Sequence, residues 1–202
     1  MSRPYLDVNS VYVQKYYNKI LDCVNDIFEQ DFSEIAEYKV PDKYEYGDWK
    51  FKVIKSPAAG ICLTQFSSKK LKQLIYDDRI LLASINKFGP GSIIKEHKDP
   101  AYFGKNTFRI FVPLQSKNSY ITANFGTIKC EERKPYILDF IYESHSGENK
   151  DKNEDFIIIA FDVLYETNQE YDEDYTFNGF STKKDKVFKN VVNVNMSVYE
   201  KI

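Results

Sequence analysis

The stretch KEHKDPAYFGKNTFRIFVPL, residues 95–114, decides how this chain is read. Its second half, from Thr107 to Leu114, is a run of aromatic and β-branched residues and reads as a strand. Its first half places His97 two residues before Asp99. In an extended segment residues i and i+2 point to the same face, so these two side chains can converge on one point. The chain holds only two histidines among 202 residues, and the second, His145, follows Asp99 by 46 positions. It comes just after the apolar run YILDFIY, which puts it at the end of a strand or in the loop beyond. An antiparallel fold can bring that strand end beside His97.

Working outward, more short apolar runs appear: WKFKVI, ICLTQF, ILLASINKF, SYITANF, YILDFIY and FIIIAFDVLY. They are separated by turn-like pieces such as SPAAG, GPGS and HSGENKDKNED. Two helices are expected among them. The first runs from Val13 to Phe28, where apolar residues recur at helical spacing behind a Ser10 or Asn9 cap. The second lies in SSKKLKQLIYDD, with Leu71, Leu74 and Ile75 facing inward. Many strands behind an early helix predict a mainly β fold, an antiparallel sandwich or barrel with flanking helices. After Glu166 the chain turns acidic and polar, then ends with Val192, Val194, Met196 and Val198 alternating like an edge strand.

Length suits one domain, residues 1–202, with a helical part at 1–45, a β core at 46–165 and an extension at 166–202. The 28 basic and 30 acidic residues leave a formal charge of -2. That balance argues against a nucleic-acid partner held mainly by phosphate contacts. Cys23, Cys62 and Cys130 form no CxxC pair, which suits a reduced setting, and no segment is apolar enough to span a bilayer. A cytoplasmic protein is expected, with no membrane partner.

Two imidazoles and one carboxylate on one face of a metal form the 2-His-1-carboxylate triad, which leaves open positions on Fe(II). The plainer alternative is that Asp99 hydrogen-bonds to His97 or shapes a turn before Pro100. The blocks GPGSIIKEHKD, FRIFVPL, YILDF, SHSG and FIIIAFDV, in that order, resemble the aspartyl/asparaginyl β-hydroxylase-like branch of the 2-oxoglutarate and Fe(II) oxygenases. That branch includes bacterial proline cis-4-hydroxylases, whose Gly-x-Trp strand GDWKFKVI also resembles. The resemblance covers roughly residues 45–165.

This resemblance implies a double-stranded β-helix, a jelly-roll of the cupin kind, with His97, Asp99 and His145 as the metal ligands and catalytic centre. It implies Fe(II), 2-oxoglutarate and O2 as cofactor and cosubstrates, and hydroxylation of an amino acid, free or within a peptide. Arg109, one of four arginines, matches a family arginine that contacts the cosubstrate, and Ser84 matches a nearby serine. An unpaired guanidinium inside an apolar strand would be costly, so Arg109 needs a carboxylate, from the cosubstrate or from the protein. Two positions depart from the family: Phe111 stands where relatives often have a histidine, and Phe156 where they have a second arginine. Lys105 is a candidate second cation. Asp139 is a candidate either to accept the other N–H of a ligating histidine or to shape a strand turn, Asp162 is a pairing or turn carboxylate, and Trp49 is a core anchor. The loop ENKDKNED and the Tyr-rich EYKVPDKYEYGDW are candidates for a lid and a substrate mouth. Rival readings are a cupin-like metal-binding or sensor protein without turnover, and an oxygenase acting on nucleic acid or another metabolite.

Overall fold

The computed structural model describes residues 6–39, 45–99 and 107–165, together with the backbone of 176–177, 180–181 and 199–200. The expected first helix is two: α1 (Val11–Leu21) and α2 (Val24–Glu29). Ser10 caps α1 by accepting from the Val13 amide. The break falls in Asp22-Cys23-Val24-Asn25-Asp26, a run of weak helix formers. Apolar phase survives it, since Ile20, Val24 and Ile27 are all buried. Helix α3 (Lys69–Ile75) starts at a Ser68 cap and buries Leu71, Leu74 and Ile75 as expected.

Four short leading strands, β1 (Tyr38–Lys39), β2 (Glu45–Tyr46), β3 (Trp49–Ser56) and β4 (Ile61–Leu63), precede the core of the fold. That core is β5 (Ile80–Phe88), β6 (Ile93–His97), β7 (Thr107–Gln115), β8 (Ser119–Ala123), β9 (Gly126–Lys129), β10 (Tyr136–Leu138), β11 (His145–Asn149) and β12 (Phe156–Leu164). The larger sheet runs β10-β7-β12-β5-β3-β4, and the smaller runs β2-β6-β11-β8-β9. Every pairing is antiparallel. The core strands cross back and forth between the two sheets, which is the winding of a double-stranded β-helix. The fold is therefore a mainly β jelly-roll with flanking helices.

Strands of the larger sheet are buried on both faces, which is why they read as unbroken apolar runs. Phe108, Ile110 and Val112 of β7, with Ile159, Phe161 and Val163 of β12, face the helices in one core. Their neighbours Phe111, Ile158 and Ala160 face inward, against Ile94 and Ile121 of the smaller sheet. Arg109, Asp162, Ser84 and Asn86 fall on that same inward face by the period of two.

Three strands of the core, β6, β9 and β11, were not legible as apolar runs. Strand β11 reads HSGEN, yet it pairs with β6 on one side and β8 on the other. It alternates buried and half-buried positions, but the buried residues are His145, Gly147 and Asn149, so backbone hydrogen bonds rather than apolar side chains make it a strand. Correspondingly, YILDFIY is a strand only at its first three residues and then turns, with the backbone carbonyl of Asp139 accepting from the Tyr142 and Glu143 amides. The expected lid also differs. Residues 150–155 turn at the end of β11 opposite His145, tied by Asn149 to the Phe88, Gly89 and Glu154 carbonyls. The alternating segment Val192–Val198 and Lys105 lie outside the described residues, as does part of the Tyr-rich stretch. A strand β15 at Tyr199–Glu200, the last after β13 (Thr176–Phe177) and β14 (Phe180–Ser181), pairs with β4. Among the described residues no helix is long and apolar enough to cross a membrane.

Gly47 makes the turn into β3 at φ +121, and a Cβ there would lie 2.4 Å from Ser92 Oγ and 2.9 Å from Ser92 Cα. Ser92 Oγ accepts from the Asp48 amide at 3.1 Å, so it is not free to move aside. Gly47→Ala is expected to destabilise the fold by about 1–3 kcal/mol, the cost of an overpacked and strained site, as a lower urea midpoint.

Candidate metal centre

Strand β6 ends at His97 and β11 begins at His145, and the two residues are direct partners in the ladder. Their ring centroids lie 4.5 Å apart. Asp99 stands two residues beyond His97, where its amide donates to the Phe140 carbonyl at 2.9 Å. That bond draws the chain past the strand end toward the turn that precedes β11. The three ligand atoms all lie within 4.8 Å of one another.

The tautomers follow from the backbone. His97 Nδ1 is 2.6 Å from the Lys95 carbonyl, and His145 Nδ1 is 3.3 Å from the Glu143 carbonyl. A carbonyl only accepts, so each Nδ1 carries the hydrogen, and a neutral ring then presents a lone pair at Nε2. Those Nε2 atoms face Asp99 Oδ1 at 3.0 Å and 3.9 Å. Asp99 Oδ1 is shielded from solvent and faces the two imidazoles, so what satisfies it there is a proton on His97 or another cation. Acceptors facing each other at such range repel unless a cation joins them, either a proton or a metal ion. The donor set, two imidazoles and one carboxylate oxygen, fits a divalent transition metal. Backbone carbonyls, rather than Asp139, supply the outer partners that fix the rings.

Charge in the site is unevenly held. Burial opposes ionisation of Asp99, but Arg109 and the imidazoles outweigh it and hold the carboxyl well below its usual range. Burial dominates at His145 and pulls its pKa down to about 4. At His97 burial acts the same way, yet the hydrogen bond and charge of Asp99 prevail and raise its pKa. Burial also raises the pKa of Asp162, only partly offset by Arg109.

Arg109 has found protein carboxylates. Its Nε and Nη2 donate to the two oxygens of Asp162 at 2.7 and 3.1 Å, and Nη1 donates to Asp99 Oδ2 at 2.7 Å. The Phe140 ring lies 3.9 Å from its Cζ. Arg109 still lines the cavity beside the triad, a space of about 50 Å³ walled by Trp49, Asn86, Phe88, Phe111, Ile121 and Ile158 among others. Ser84 is one step behind that wall: its Oγ accepts from Asn86, whose Oδ1 in turn accepts from the Trp49 indole. Trp49 also packs on Phe88, so it is both core anchor and cavity wall. Asn86 was missed by sequence reasoning, although it lies two residues from Ser84 on the same strand face. The departing Phe111 lines the cavity, and Phe156 is fully buried against Phe88.

No family model matches the chain, and no curated protein matches it. Solved structures do. A predicted oxalate decarboxylase from Thermotoga maritima is 20% identical, covering 66% of this chain and 96% of that one, with a TM-score of 0.46. A 2OG-Fe(II) oxygenase family oxidoreductase from Burkholderia pseudomallei is 11% identical over 82% of this chain and 84% of its own, with a TM-score of 0.46. A cupin-like protein from Thermotoga maritima is 10% identical over 66% and 81%, with a TM-score of 0.40. None of these values is high enough to transfer an activity.

Two outcomes follow from the geometry. His145→Ala is expected to abolish Co(II) or Fe(II) binding in titration calorimetry while the circular dichroism stays that of wild type. Proton competition should be lopsided. Asp99 raises the pKa of His97, so a proton competes for its Nε2 at higher pH than at His145, which is neutral until about pH 4. Metal uptake near neutral pH should then release at most one proton, and none from His145, measured in buffers of different ionisation enthalpy. As pH falls, affinity should drop with a slope of about one, steepening only as His145 titrates.

Proposed function

We propose that the protein is a mononuclear non-haem Fe(II) oxygenase that uses 2-oxoglutarate and O2 to hydroxylate a C–H bond of an amino acid, free or peptide-bound. The observation that carries this reading is the meeting of two imidazole nitrogens and one buried carboxylate oxygen within 4.8 Å of one another, beside an apolar cavity of a jelly-roll. His97, Asp99 and His145 would hold the ion, and iron bound there would supply the activation of O2.

The chain's own residues do the rest. Lys95 and Glu143 carbonyls keep the imidazoles in the ligating tautomer. Arg109 keeps Asp99 ionised in a buried setting. Phe88, Phe111, Ile94, Ile121 and Ile158 line the cavity with apolar surface and limit water beside the reacting atoms. Arg109 is the cation assigned to a cosubstrate carboxylate, with Ser84 behind it. The amino-acid substrate class rests on the sequence resemblance.

One observation favours a second reading, a cupin-like metal-binding protein that turns over no 2-oxoglutarate. The cavity's 50 Å³ is far below the roughly 300 Å³ at which small-molecule pockets begin, and Arg109 already serves Asp99 and Asp162. A five-carbon dicarboxylate does not fit that space as it stands. The deciding assay supplies Fe(II) and 2-oxoglutarate with a panel of amino acids and peptides, and measures succinate. Substrate-dependent succinate that disappears in His145→Ala supports the oxygenase. Tight Fe(II) binding with neither binding nor consumption of 2-oxoglutarate establishes the second reading in its place.

A further inference from the structure

Asp162 lies opposite Arg109 in the β12–β7 ladder, and its carboxylate is 1% exposed. Both of its oxygens accept from the guanidinium, at 2.7 and 3.1 Å. A guanidinium is planar, so gripping the Nε–Nη2 edge fixes where Nη1 points. Nη1 points at Asp99 Oδ2, 2.7 Å away. Phe140 covers one face of the guanidinium at 3.9 Å, and its carbonyl holds the Asp99 amide. One oxygen of Asp99 is thereby locked, and the other is left facing the imidazoles.

From this we infer that Asp162 is a positioning residue for the metal centre, acting through Arg109 to make Asp99 a one-oxygen ligand. The inference rests on the triad being a metal site. Its consequence is chemical. A carboxylate that ligates through one oxygen leaves three positions of an octahedral ion open, and one that ligates through both leaves two. Asp162 also sets the local charge. Arg109 between Asp99 and Asp162 leaves the buried cluster one negative charge in excess, which a cation at the triad balances. A single carboxylate would have neutralised Arg109, and burying a second is costly, so a purely structural pair gives no reason for both.

The test uses Co(II) as the probe, reading affinity by titration and ligand geometry by the visible spectrum. Asp162→Asn keeps the shape and removes the charge and the two-oxygen grip. Its Co(II) affinity should fall by about 10–100-fold, the usual effect of removing a residue that orients a ligand, and its spectrum should shift as Asp99 rotates. The second variant, Arg109→Leu with Asp162→Leu, removes the pair without leaving either member unpaired. It should show the same loss and the same spectral change. Wild-type affinity and spectrum in either folded variant overturn the inference and leave the metal centre intact. Failure of the wild-type protein itself to take Co(II) overturns the metal centre, and this inference with it.

Discussion

The facing pair His97 and His145, set opposite each other across β6 and β11, is the constraint on which the site depends. Neither strand is apolar enough to be held by its own side chains. They are held because β11 lies between two partners and β6 is flanked by β2, so backbone pairing fixes their register. A slip of one residue in either strand would turn its imidazole to the other face and part the pair. Gly147, two residues into β11, shows how closely this register is packed: a Cβ there would lie 2.9 Å from Ile94 Cδ1. The irregularity between His145 and Gly147 falls at the same place.

Around that pair the electrostatics follow one logic. The interior of a jelly-roll is a poor solvent for charge, yet this one holds Asp99, Arg109 and Asp162 within a few ångströms. Each is tolerable only because of the next. Arg109 lets Asp99 remain ionised, Asp162 holds Arg109 in place, and the two carboxylates together call for a further positive centre. On the proposed reading the imidazoles would meet that need by ligating a cation through Nε2, and His97 alone could do so in part by taking a proton. A metal ion and a protonated His97 would then be competing answers to the same charge imbalance, so metal uptake at the triad would be coupled to proton release.

Much of this was legible in the sequence, for physical reasons that differ by element. The strands of the larger sheet announce themselves because both faces are buried, and ILLASINKF is a strand from its first residue to its last. The cap at Ser10 was visible because a hydroxyl before an apolar helical pattern has one obvious use. Strands β6, β9 and β11 were not, since polar residues held by backbone pairing leave no periodic trace. The His-x-Asp spacing located the candidate ligands by a same-face argument, but β6 in fact ends at His97. Asp99 joins it through a backbone bond to Phe140 that no local pattern records. Arg109 stood out as a buried cation in an apolar strand. Its grip by Asp162, 53 residues away, is set by strand register and needed the fold to be seen.

The central claim is that two Nε2 atoms and one carboxylate oxygen share a single metal ion. Anomalous diffraction from crystals soaked in Co(II) tests this most directly. The account predicts one strong peak at bonding distance from His97 Nε2, His145 Nε2 and Asp99 Oδ1, with Asp99 Oδ2 still on Arg109. A peak elsewhere, or none in the triad with His97 bonded to Asp99 through a proton, would contradict it.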